Sequence, residues 1–206
     1  MPRSKLALLA VPLVLLLAAC AGSDEPETTA APSTPAADGP RVILETSAGD
    51  IQLVLHAEAA PITVENFLRY VDEGHYDGLV FHRVIDGFMI QGGGFDADLV
   101  QQSTHDPIRN EADNGLNNVR GTIAMARTQA PHSATAQFFI NLADNNQLDQ
   151  RGNQWGYAVF GEVEAGMEVV EQIGGTRTGT RPTPMGAMGD VPVEPIVIER
   201  ARRDDS

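Results

Sequence analysis

The stretch FHRVIDGFMIQGGG, residues 81–94, holds the side chains best suited to chemistry, His82 and Arg83. A strand there alternates its faces, setting Phe81, Arg83 and Ile85 on one side and His82 and Val84 on the other. Arg83 then falls in the apolar phase, where an unpaired charge is expensive to bury. Either it is an edge-strand arginine in a salt bridge, or it has a task. Three glycines follow, but without a Lys-Ser/Thr pair or an opening helix they are a weak phosphate-binding signal. They read better as a corner where backbone passes close to backbone. Two further dense runs are GTIAMAR, residues 121–127, and SATAQFFIN, residues 133–141. Phe138 and Phe139 are adjacent, so a strand points them to opposite faces, one to a core and the other to a surface groove.

Several chemistries are excluded or unsupported. His56, His75, His82, His105 and His132 are scattered without ligand spacing, and no metal site is expected. There is no G-x-S-x-G. The single cysteine, Cys20, lies near the N-terminus, which rules out an intrachain disulfide and Cys–His catalysis within the domain. The formal net charge of −14, with Lys5 the only lysine, repels phosphate backbones, and no nucleic-acid partner is expected. A length of 206 residues with 42% hydrophobic and 20% charged residues is that of an ordinary globular chain with one sizeable domain.

Around these residues the pattern predicts short strands. Runs at 41–46 and 50–55 flank Ser47-Ala48-Gly49 as a hairpin. Pro61 opens a helix in which Val64, Phe67, Leu68 and Val71 fall at i, i+3, i+4 and i+7, with Gly74 at its end. Further strands are expected at 79–85, 88–92, 122–126, 138–141, 157–163 and 195–200, and a second helix at 167–173 before Gly174-Gly175. Eight strands and two helices without βαβ alternation point to a closed antiparallel barrel with helices covering its ends, although pattern alone leaves a sandwich open. Residues 174–191, rich in Gly, Thr, Pro and Met, read equally as an ordered loop or a partner-binding flap.

The chain begins differently. Arg3 and Lys5 precede an apolar run from Leu6 to Leu17 and the small pair Ala18-Ala19, a secretory signal peptide over residues 1–19 that is too short to span a membrane comfortably. Leu17-Ala18-Ala19-Cys20 resembles the bacterial lipobox, which implies cleavage before Cys20, lipidation of its sulfur and a tether to the cell envelope, periplasmic or outer face. Residues 20–40 lack Val, Ile, Leu and aromatics and read as a flexible linker. The domain is expected over 41–206.

The runs FHRVIDGFMIQGGGF, GTIAMAR, QFFINLADNNQLD and YAVFGEV, in this order, resemble the successive signatures of cyclophilins, with NEADNGLNNVRGTIAMART and SATAQFFIN most similar to the periplasmic and cytosolic bacterial branch. The resemblance runs from 41 to about 200. It implies an eight-stranded antiparallel barrel capped by two helices, peptidyl-prolyl cis-trans isomerase activity and no cofactor. It places the catalytic arginine on Arg83 with His82 beside it. Phe88, Met89 and Phe139 would hold the proline ring, Leu148 another wall and Tyr157 the pocket edge. Gln91 and Gln137 would engage the substrate backbone or orient the arginine, and Ala126 and Arg127 would hold the substrate chain. The implied partners are proline-containing polypeptides, met as a monomer, with folding of exported proteins as the task.

Two departures matter. Gln147 stands where many eukaryotic members carry tryptophan, which implies weak binding of cyclosporin-like macrocycles; the lone Trp155 reads as a loop-packing residue. Arg127 replaces the family's usual asparagine and adds charge beside the groove, with a preference for acidic substrates as one consequence. A non-catalytic proline-binding or chaperone module tethered to the envelope is the competing reading.

Overall fold

Apolar residues alternate along the strands and recur every three or four positions along the helices, and that pattern dictates which faces are buried. The computed structural model describes residues 39–184 and 186–204. The expected signal peptide, Cys20 and nearly all of the expected linker lie outside the described residues. The strands are β1 (Arg41–Thr46), β2 (Gly49–Leu55), β3 (Arg83–Ile85), β4 (Met89–Gly92), β5 (Thr122–Met125), β6 (Phe138–Asn141), β7 (Val159–Ala165), β8 (Thr178–Thr183), β9 (Gly186–Pro192) and β10 (Ile198–Asp204). The helices are α1 (Pro61–Asp72) and α2 (Met167–Gly174), and a 3-10 turn covers Asn146–Leu148.

Eight strands form one antiparallel sheet in the order β10-β1-β2-β7-β5-β6-β4-β3, and β8 and β9 form a separate hairpin. The hollow of the sheet holds the main core. Val64, Phe67, Leu68 and Val71 of α1 enter it as the helical period requires, with Val170 and Ile173 of α2. Rings dominate its centre: Phe67 lies 5.2 Å from Tyr76, 5.7 Å from Phe138 and 5.1 Å from Phe160, centroid to centroid. The buried Tyr76 hydroxyl donates to the Ala136 carbonyl at 2.9 Å.

The closed barrel expected from the sequence is corrected to an open one, a sheet curled through 218°. No ladder joins the edge strands β3 and β10. A short seam stands in for it: Gly78 N donates to Ile198 O at 2.8 Å, Ile198 N to Leu79 O at 2.7 Å and Phe81 N to Ile196 O at 3.0 Å. That seam also corrects the strand expected over 79–85. Residues 79–81 bond across the gap, so β3 begins only at Arg83, and Phe81 shares the inner core with Val84 instead of a face with Arg83. The segment 174–191, open between loop and flap, is largely the β8–β9 hairpin.

Candidate active site

Side chains that alternate away from the core meet on the outside of the sheet. Arg83 of β3 is paired with Gln91 of β4, Gln91 with Phe139 of β6, Phe139 with Ala124 of β5, and Ala124 with Val159 of β7. Successive ladders thus compose one row across five strands. Met89, Ala124, Phe139 and Val159 form a second apolar cluster there, joined by Ile85, Phe88, Ala126, Leu148 and Tyr157. Their chain neighbours Val84, Ile90, Ile123, Phe138 and Ile140 belong to the inner core.

The outer cluster surrounds a cleft of about 150 Å³ lined by Arg83, Phe88, Met89, Gln91, Ala126, Arg127, Phe139, Leu148 and Tyr157. A water takes about 30 Å³ of liquid, so the cleft has room for a small ring and little else. Phe139 and Tyr157 meet edge to face at 5.6 Å. A larger hollow of about 570 Å³ runs along α1, where Arg69 pairs with Glu73 and Arg203 with Asp72, and it holds none of the expected residues.

The two cleft arginines differ in what surrounds them. Arg127 donates from Nε to Gly156 O at 3.1 Å, from Nη1 to Thr128 O at 2.9 Å and from Nη2 to Trp155 O at 2.6 Å. Its guanidinium also lies 4.5 Å from the Tyr157 ring centre. Arg83 has no hydrogen-bond acceptor among the described residues; its nearest carboxylate is Asp190, with Oδ2 3.9 Å from Nε. The Arg83 side chain is 40% exposed.

Two expected residues lie off the cleft. His82 is buried behind it, 4.6 Å from the Phe95 ring. Burial pushes its imidazole down to about 4, helped by the Arg83 charge and opposed by the Val80 backbone and the Gln137 side chain. Gln137 accepts from Gln91 Nε2 at 2.9 Å and borders an adjoining polar hollow of about 190 Å³ with Gln101, Thr128 and Ser133. The glycine corner fits Gln137 closely: a Cβ on Gly94 would stand 2.5 Å from its Cγ and Cδ. Trp155 packs against His132, ring centres 4.9 Å apart, and Gln147 is exposed.

Sequence reasoning missed a buried amide network behind the cleft wall. Asn141 Nδ2 donates to Thr122 Oγ1 at 2.9 Å, and Asn145 Nδ2 donates to Asn141 Oδ1 and to the Phe88 carbonyl, both at 2.8 Å. Asp149 accepts from Asn118 N at 2.7 Å, and Asn118 Nδ2 reaches the Tyr157 carbonyl at 3.3 Å. These side chains tie the backbones of Phe88 and Tyr157 to the sheet. The asparagine density of NLADNN was the available signal.

A curled antiparallel sheet with two helices in its hollow and an apolar cleft on its outer face is the architecture of a cyclophilin. A Cryptosporidium parvum cyclophilin type isomerase, solved in the presence of the dipeptide Ala-Pro, shares the fold at a TM-score of 0.65 and 24% identity, over 81% of this chain and 99% of that one. The chain belongs to the family of cyclophilin type peptidyl-prolyl cis-trans isomerases, whose model matches residues 41–203. A peptidyl-prolyl cis-trans isomerase of Streptomyces antibioticus is 58% identical over 78% of this chain and 96% of its own length. Isomerase B of Escherichia coli is 55% identical over 77% and 96%, and isomerase A of Dickeya dadantii 51% over 85% and 90%. The activity of this protein is the cis-trans isomerisation of X–Pro peptide bonds.

Proposed function

We propose that the cleft around Phe88, Met89, Phe139, Leu148 and Tyr157 takes the proline ring and that Arg83 is the catalytic group. The observation that carries this reading is the guanidinium of Arg83, without a hydrogen-bond acceptor among the described residues, on the rim of an apolar cleft. Resonance in the C–N bond imposes a barrier of about 18–20 kcal/mol, and uncatalysed X–Pro bonds isomerise over tens of seconds or longer. No bond need break. As the amide twists, its nitrogen turns pyramidal and gains a lone pair that the planar amide lacks. Arg83, always charged and stiff in its fork, donates a hydrogen bond to that lone pair. The bond exists only near the transition state, which is the condition for acceleration. The apolar cleft holds one side of the rotating bond. Gln91, bonded to Gln137, and the backbone at Ala126 and Arg127 hold the substrate chain beside it.

The substrates on this reading are proline-containing polypeptides, in keeping with the Ala-Pro dipeptide in whose presence the relative was solved. The lipobox-like segment supports the further proposal that the protein is exported, anchored through Cys20 and acts on exported chains as they fold. Isomerisation of a short X–Pro peptide by wild type and Arg83→Ala tests the assignment. Loss of a donor used only in the transition state costs about 2.7–4 kcal/mol, so kcat falls by roughly 10²–10³-fold. An Arg83→Ala protein retaining half the wild-type rate would sink the proposal.

A further inference from the structure

The β8–β9 hairpin stands outside the eight-stranded sheet, but one end of it is anchored. Val191 is buried against Val80 and Leu99, with Met188 and Val197 alongside. The residue before it, Asp190, has φ of 59°, in the left-handed region that, after glycine, asparagine and aspartate adopt most readily. With Val191 seated, this backbone carries the Asp190 carboxylate to the β3 edge, where Oδ2 lies 3.9 Å from Arg83 Nε. Among the described residues, no other carboxylate lies within ion-pair distance of Arg83.

We propose that Asp190 is a positioning residue for Arg83, resting on the reading of Arg83 as the catalytic group. A separation of 3.9 Å is too long for a hydrogen bond, so the pair occupies none of the guanidinium's donors. The attraction still restricts a long side chain that would otherwise sample many rotamers. The Arg83 and Asp190 side chains are 40% and 50% exposed, and pairs this open contribute little to stability. Uncommon backbone held in place beside a working group is where such conformations tend to gather. The hairpin thus aims the guanidinium while its N–H groups stay available for the twisting amide.

The test compares wild type, Asp190→Asn, Arg83→Ala and the double variant as full chains, measuring kcat and KM on one X–Pro peptide. Asparagine tolerates the left-handed backbone and keeps the shape, so thermal midpoints should match. The expected result is an about three- to tenfold fall in kcat for Asp190→Asn, the scale of a slightly misplaced group, with KM changed less than twofold. In the Arg83→Ala background the substitution should have no further effect. Salt near 1 M, which screens exposed pairs, should lower the wild-type kcat toward that of Asp190→Asn and leave the variant where it was. Asp190→Gly, which accepts the same φ, should repeat the loss. An unchanged or raised kcat in Asp190→Asn, or a further loss in the double variant, overturns the positioning role. A fully active Arg83→Ala would instead remove the catalytic reading beneath it, whereas an inactive Arg83→Ala beside a fully active Asp190→Asn overturns the positioning role alone.

Discussion

Arg83 and Arg127 both border the cleft, and the acceptors around them separate their roles. Three carbonyls take three of the five N–H groups of Arg127, so it staples residues 155–156 to the end of β5. An acidic substrate side chain would still meet its charge, with one N–H on each of Nη1 and Nη2 left to donate. His82 acts through burial. Its imidazole titrates at about 4 in the folded protein against 6.5 in the unfolded chain, so the unfolded chain binds the proton first. The stability this neutral residue contributes is fully present above 6.5 and is lost as the pH falls from 6.5 to 4. At about 1.4 kcal/mol per unit the loss is on the order of 3 kcal/mol. Urea midpoints at pH 7 and 4.5 should show a drop in wild type that is much smaller in His82→Gln; equal drops would rule out His82 as its source.

At the scale of elements, α1 shows what its own segment lacks. Its N-cap, Ala60, offers no side-chain bond, and its first turn carries no acid. Pro61 suits the first position, since the N–H it lacks would have no helical partner there. The remaining need is met by Glu111, 48 residues away, whose carboxylate accepts from Thr63 N at 2.8 Å and Thr63 Oγ1 at 2.7 Å. It also accepts from Ile62 N at 3.2 Å. A carboxylate at the positive end of a helix is favoured by charge as well as by hydrogen bonds. Glu111→Ala should therefore destabilise the domain by about 2 kcal/mol, a fall of roughly 4–8 °C in Tm. An unshifted melting curve would remove the capping role.

For the whole molecule, the division of labour proposed here puts turnover in residues 41–206 and location in Cys20. The protein made in a bacterial host should incorporate labelled fatty acid, and Cys20→Ser should not, while kcat and KM on a short peptide stay as they were. An unlabelled wild-type protein would overturn the lipid anchor. Folding and anchoring are separable on this view because β1 begins at Arg41, and the Pro40 carbonyl already accepts from Leu55 N at 2.9 Å.

What the chain determined by itself through local pattern is the 3.6-residue apolar face of α1 and the opposed faces of Phe138 and Phe139, because both depend on neighbours a few positions away, which periodicity reports well. The residues that line the cleft were legible only through the resemblance of their motifs to those of cyclophilins. Tertiary structure alone decided whether the sheet closes, because edge pairing depends on accumulated curl and not on any strand's own pattern. It also moved Phe81 into the inner core, since residues 79–81 bond to 196–198 across the gap. Only in the fold do carbonyls surround Arg127 and leave Arg83 with the distant Asp190, and only there does Glu111 reach α1. Polar groups take whichever partner the packed chain brings near, so their engagement was decided by tertiary structure.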